Sequence, residues 1–285
     1  MTDFPSPFPS FRPARRFAAV LVATILTLPV QGAFDYPDIV PSSAALAGSA
    51  LADYRVPGMF LNNPAASGAT GWRAAFAYSR LYGIADLPLG TAWIESGRGV
   101  WGAALAWERL GGALYAENRV SLSGSRAVAA NGVRLGVAVR HHQVQAAGYR
   151  AAGATDITLG WGMAVSERLH LAGAVENLLR PALGGDTGAL TRHIRSGLSY
   201  RAAEPVVFYG TLAQTHGRPG DVALGIRYRC SDLLNLSGGY STRGDHTGVG
   251  MVLSGGGWQV DYAWSWQVEL GGTHRVALVW SPGDQ

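Results

Sequence analysis

Thr158-Leu159-Gly160-Trp161-Gly162-Met163-Ala164-Val165 decides the fold of this chain. Leu159, Trp161, Met163 and Val165 are large and apolar, whereas Thr158, Gly160, Gly162 and Ala164 are small. A period of two is that of a β-strand, whose successive side chains point to opposite faces. The pattern recurs on either side of this stretch. Val133, Leu135, Val137 and Val139 oppose Arg134, Gly136, Ala138 and Arg140; Val222, Leu224, Ile226 and Tyr228 oppose Ala223, Gly225, Arg227 and Arg229. Near the end, Val260, Tyr262, Trp264 and Trp266 oppose Gln259, Asp261, Ala263 and Ser265. The polar face of a soluble sandwich meets water and is rich in Lys, Glu and Thr. Here that face is Gly, Ala and Ser with scattered charges, which suits a crowded barrel lumen while the other face meets lipid.

From residue 71 to 280, segments of about ten residues alternate in this way between clusters of Gly, Pro, Asp and Ser, as in membrane barrels. The reading is all-β: a transmembrane antiparallel β-barrel of about 14 strands with an N-terminal lumenal hatch. A soluble β-sandwich or β-helix is the alternative. The candidate strands run from 71–82 to 273–281, the fourth at 113–123. With both termini in the periplasm, long connections follow odd-numbered strands, 145–155 and 179–192 among them, and short turns follow even-numbered ones. The stretch 121–131 is longer than that rule expects.

Composition agrees with one barrel domain. The chain has 285 residues, 39 of them Gly and 9 Trp, and only 15% are charged. All 23 basic residues are Arg, a bias that a GC-rich genome explains. The net charge of +4 includes Arg12, Arg15 and Arg16 in a segment expected to be removed, so no nucleic-acid partner is indicated. Residues 1–32 read as a secretory signal peptide: Arg15 and Arg16, an apolar run from Phe17 to Val30, then Gln31 and Gly32 before Ala33. Export with alternating strands implies the outer membrane, with its lipid as a partner. Cys230 is the single cysteine, which excludes an intramolecular disulfide and reads as a free structural thiol.

Residues 33–70 do not alternate and form the hatch or plug; 71–285 form the barrel. A short helix is expected from about Ser42 to Ala52, then irregular chain to Asn62, Asn63 and Pro64. The alternation puts Glu108, Arg134, Arg140, Glu176, Arg227, Arg229 and Asp261 on the lumen side. A charge facing lipid at mid-depth costs roughly 2–4 kcal/mol. With Asn62, Asn63 and Pro64 they are the candidate hatch and lumen residues, holding the hatch by ion pairs or lining a polar path. Aromatics such as Trp101, Trp107, Tyr262, Trp264 and Trp280 are expected at the interface or against lipid.

Candidates for chemistry are few. His141 and His142 are adjacent on a strand and point to opposite faces, so they do not chelate one metal. Arg243, Gly244 and Asp245 spell an adhesion tripeptide but serve equally as a charged turn. Gly160, Gly162, Gly248 and Gly250 lack the strand-to-helix transition of a phosphate loop and read as sites of close packing or curvature. The expectation is no enzyme, no metal and no cofactor.

The stretch Asn62-Asn63-Pro64-Ala65-Ala66, followed by a strand opening Gly71-Trp72, resembles the PorV/PorQ-like outer-membrane proteins, relatives of FadL-type transporters. Val133 to Arg140, the hairpin through Glu176-Asn177-Leu178, and the close from Val260 to Arg275 are similar to the same family. The resemblance implies a fourteen-stranded barrel with an N-terminal hatch. It also implies one of two roles: binding of exported cargo with secretion-system components as partners, or gated passive transport of a small hydrophobic ligand. A purely structural surface barrel is a third.

Overall fold

The structure, a computed structural model, describes residues 33–34, 38–68, 71–128, 132–183 and 189–282. The expected signal peptide lies outside these residues. Fourteen strands follow one another: β1 Arg73–Arg80, β2 Pro88–Arg98, β3 Trp101–Gly111, β4 Tyr115–Ala127, β5 Arg134–Ala146, β6 Ala152–Ala164 and β7 Leu169–Glu176 make one half. β8 His193–Ala203, β9 Val206–Thr215, β10 Asp221–Arg229, β11 Leu234–Ser241, β12 His246–Gly255, β13 Trp258–Gln267 and β14 Gly271–Trp280 make the other. Each pairs antiparallel with its neighbours in sequence, and β14 closes on β1 from Ala74↔Trp280 to Arg80↔His274. Closure leaves no sheet edge, so the backbone groups of every strand find partners without water.

The phase of the alternation is the one read from sequence. Leu159, Trp161, Leu135, Val137, Val222 and Val260 are exposed, and Leu224 is 60% exposed, while Thr158, Ala138, Ala223, Asp261 and Ala263 are buried. Soluble proteins rarely expose so large an apolar band. It surrounds the barrel as a lipid-facing belt does. The Trp72 ring meets that of Trp280 edge-on and the Trp258 ring lies tilted against it, with centroids 5.0 and 6.2 Å away, and the Arg126 guanidinium lies 4.6 Å over Trp101. All four tryptophans sit at the end where β14 finishes, here the C-terminal rim, as an interfacial girdle. Trp107 is exposed, while Tyr262 and Trp264 are half-buried.

Three sequence expectations need correction. β4 runs to Ala127, pairing with β5 as far as Ala127↔Arg134, so the connection is 128–133 and not 121–131. Its Ser121, Ser123 and Ser125 look like turn composition but are buried lumen-side residues of the strand. The expected helix over Ser42–Ala52 is a five-residue helix α1, Pro41–Ala45. Ala47 (φ 51°) and Gly48 (φ 80°) turn the chain out of it, and the Gly48 amide donates to the Ser43 carbonyl at 3.0 Å. Cys230 is exposed on the turn after β10, so the thiol is not part of a core.

The shortest connections, 99–100, 204–205 and 256–257, lie at the C-terminal rim; the longest, 177–192, lies at the opposite rim. Its described parts are tied down: the Asn177 amide donates to the Thr191 carbonyl and the Arg192 guanidinium to the Leu178 carbonyl, both at 2.7 Å. Replacing outward-facing Leu224 with Arg is expected to cost about 2–4 kcal/mol of folding stability in a bilayer. Urea titration of the heat-modifiable band measures it, and an unchanged midpoint would mean that this face meets water.

Candidate functional site

The N-terminal segment crosses the lumen. The Phe34 amide donates to Glu117 Oε2 at 2.7 Å, and its ring meets that of His142 edge-on at 4.6 Å. Ile39 packs with Leu81, Leu89 and Leu110 toward the rim opposite the C-terminal one. Gly68, at the far end of the segment, lies against the Ser96 and Gly97 backbone near the C-terminal rim. Almost every residue from Ile39 to Ser67 is buried.

Inward-facing glycines make room for it. A Cβ on Gly239 would lie 2.4 Å from the Leu46 carbonyl carbon, and one on Gly136 would lie 2.2 Å from that of Pro64. Gly160 faces Asn63, and Gly248 faces Ala44, in the same way. The small side of the alternation is therefore small because backbone lies against it, as its close-packing interpretation anticipates.

Charges hold the segment in place. Glu108 on β3 and Arg119 on β4 are register partners and form a bidentate pair, with one contact at 2.6 Å. Glu176 receives Arg140 on one carboxylate oxygen and Arg195 on the other at 2.5 Å, with Arg119 at 3.8 Å. The same arginines reach the segment: Arg140 donates to the Leu61 carbonyl at 2.5 Å and Arg195 to Asn62 Oδ1 at 3.2 Å. Arg140, whose exposure is 1%, is thus held by a carboxylate and a carbonyl through its two terminal nitrogens, while its Nε is buried without a hydrogen-bond partner.

The other sequence candidates also touch the segment. Asn63 donates to the Trp161 carbonyl at 3.1 Å and accepts from the Ala65 amide, capping the short 3-10 turn Pro64–Ala66. Asn62 donates to Asp38 at 2.7 Å. Arg134 donates to the Ala65 carbonyl at 3.2 Å and to Ser125 at 2.7 Å. Arg227 pairs with Asp53 at 2.8 Å, where Tyr209 also donates, and Asp261 accepts from Ser42 of α1 and from Gln259 at 2.6 Å. Arg229 is different: it sits half-exposed at the C-terminal rim, paired with Glu204 at 2.8 Å.

Sequence reasoning missed Arg119, Arg195, Asp53 and the Arg73–Glu95 pair, whose charges lie 3.8 Å apart. Extending the alternation along β4 would have placed Arg119 with Ser121 and Ser123 on the lumen face. Asp53, in irregular chain, carries no periodic signal. The two adjacent histidines do part: His141 is exposed and bonds Thr155 at 3.0 Å, and His142 is fully buried.

No protein-family model matches this chain, and no curated protein sequence does. Solved structures do. The CymD monoaromatic hydrocarbon channel is 10% identical with a TM-score of 0.67, over 88% of this chain and 100% of that one. The toluene transporter TodX of Pseudomonas putida is 10% identical with a TM-score of 0.66, over 87% and 98%. A FadL homologue of Pseudomonas aeruginosa is 10% identical with a TM-score of 0.61, over 88% and 100%. The fold is that of FadL-type outer-membrane barrels. The PorV side of the sequence resemblance finds no support in a family model.

The glycine contacts yield a test. In a Cys230→Ala background, Ser49→Cys is expected to react slowly with a maleimide, because Ser49 is fully buried. Adding Gly239→Val should speed labelling by about tenfold or more, since overpacking costs about 1–3 kcal/mol, while heat-modifiable migration persists. Unchanged labelling of a folded barrel would mean that the segment yields without displacement.

Proposed function

We propose that this chain is a gated passive channel for small hydrophobic molecules in the outer membrane, with the segment 38–68 as the gate. The observation that carries this reading is the two-sided lumen beneath the segment. On one side Ala77, Trp93, Ala104, Ala277 and Val279 form an apolar wall against Met59, Phe60 and Leu61. On the other, the linked ion pairs Glu108–Arg119 and Arg140–Glu176–Arg195 reach the segment through Arg140 and Arg195, which donate to Leu61 and Asn62. Withdrawal of the segment uncovers an apolar strip on β14, β1, β2 and β3, continuing toward the cluster of Leu81, Leu89 and Leu110. An apolar solute loses little by leaving lipid or outer leaflet for such a strip.

The expectation put first by sequence resemblance, cargo handling in secretion, has less support than passage. CymD and TodX, which share the fold, are named for a monoaromatic hydrocarbon channel and a toluene transporter. A gate needs no covalent chemistry, in keeping with the expectation from sequence of no enzyme. The role of the candidate residues is then to hold the closed state: Arg140, Arg195 and Glu176 clamp Leu61 and Asn62, while Arg227 and Asp261 hold Asp53 and Ser42.

Glu176→Gln leaves buried guanidiniums without their shared carboxylate, a loss of about 3–5 kcal/mol. The variant is expected to loosen the segment and raise toluene uptake into liposomes, and deletion of residues 33–67 should raise it further. Folded barrels of both variants with uptake no greater than the parent's would overturn the gate. Co-purification of secretion components with the parent would favour the cargo reading.

A further inference from the structure

The outward face of the barrel carries charge of one sign only. In the phase of Trp161 and Leu224, the charged side chains of the strands among the described residues are Arg80, Arg98, Arg109 and Arg126. Every strand carboxylate among them, from Glu95 on β2 to Asp261 on β13, stands in the lumen phase. The four arginines all lie on β1 to β4, and the outward phase of β5 to β14 has no Arg, Asp or Glu among the described residues. Two of them come together at the C-terminal rim. Arg98 on β2 is the register partner of Trp101 on β3, and Trp101 is that of Arg126 on β4. Arg, Trp and Arg therefore stand side by side on three neighbouring strands. The Arg126 guanidinium lies 4.6 Å over the Trp101 ring, which is 58% exposed. Neither arginine has an ion pair or a side-chain hydrogen bond among the described residues.

The next outward row toward the bilayer centre is small, Ser96, Ala103 and Gly124, and beyond it stand Ile94, Leu105 and Leu122, all three exposed. The surface thus runs from two guanidiniums, over a shallow step, to aliphatic side chains. The wall behind it is braced from within. A Cβ on Gly97 would lie 1.7 Å from the Gly68 carbonyl oxygen and one on Gly102 1.9 Å from that of Ser67, to which Ser125 donates at 2.7 Å. The strand ends that carry the row are therefore fixed by the end of the lumenal segment. Tryptophan marks headgroup depth, and the guanidinium fork matches phosphate oxygens. Unpaired guanidiniums at that depth attract an anionic headgroup. We propose that this row binds an anionic phospholipid, its phosphate between Arg98 and Arg126 beside Trp101. One acyl chain lies over Ser96, Ala103 and Gly124 and against Leu105 and Leu122. The site is on the outer wall, so it goes beyond the transport reading and does not depend on it.

The test is native mass spectrometry of the full-length protein, folded in a non-ionic detergent and titrated in parallel with dioleoylphosphatidylglycerol and dioleoylphosphatidylcholine. Phosphatidylglycerol is expected to be retained more tightly than phosphatidylcholine by about tenfold or more, the contribution of two arginines at a lipid surface. Arg98→Gln and Arg126→Gln should each weaken phosphatidylglycerol by about fivefold, and together they should abolish the preference. Arg168→Gln with Arg201→Gln removes the same charge at the same rim, from the turn after β6 and the lumen side of β8, and should leave the preference intact. Glycerol 3-phosphate, an anion without acyl chains, should not displace the lipid. Heat-modifiable migration confirms that each variant is folded. Equal retention of the two lipids, the same preference in the Arg98→Gln, Arg126→Gln double variant as in the parent, or displacement by glycerol 3-phosphate overturns the site. Toluene uptake is measured in phosphatidylcholine liposomes without the anionic lipid, so the two readings fail separately.

Discussion

The ladder between β14 and β1 is the constraint on which the rest depends. In hydrocarbon an unpaired backbone N–H or C=O has no water to turn to, so strands that cross a bilayer must close on themselves. The register from Ala74↔Trp280 to Arg80↔His274 achieves this, and closure turns every inward residue into a lumen residue. Inside a closed ring each buried charge then has to find its partner within the same chain.

That requirement explains why the N-terminal segment and the barrel interior are matched so closely. The lumen offers the segment two kinds of surface. Glycines on β5, β6, β11 and β12 admit its backbone, and arginines on β5, β8 and β10 bond its carbonyls and side chains. Glu176 is the hub, because its two oxygens collect guanidiniums from two strands that also hold Leu61 and Asn62. Buried ion pairs contribute little net stability but are costly to break singly. A contact of this kind suits the closed state of the proposed gate, which must be definite yet reversible. Greasy packing alone, as between Phe60 and Trp93 on the other side of the lumen, is less specific in position.

Much of this was legible in the chain. A side-chain period of exactly two residues, sustained in strand after strand, set the number of strands and which face looks outward, since a slip of one residue would have turned every large apolar side chain inward. The same phase put Glu108, Arg140, Glu176 and Asp261 on the inside. Serines on β4 misled, because their composition imitates a turn while their positions, two apart, belong to a strand facing polar backbone. The α1 helix was overestimated for a related reason: local propensity favours continuing it, but the wall at Gly239 leaves space only for a turn.

By itself, then, the sequence determined the barrel, its strand count and its two faces, because those follow from a local period and from lipid's intolerance of charge. The tertiary structure decided which lumenal charges meet. Glu108 and Arg119 are eleven residues apart and adjacent by register, but Arg140 and Leu61 are 79 apart, and Arg227 and Asp53 are 174 apart. The segment from Ile39 to Ser67 has no period of its own, so its path is set only by the interior into which it fits.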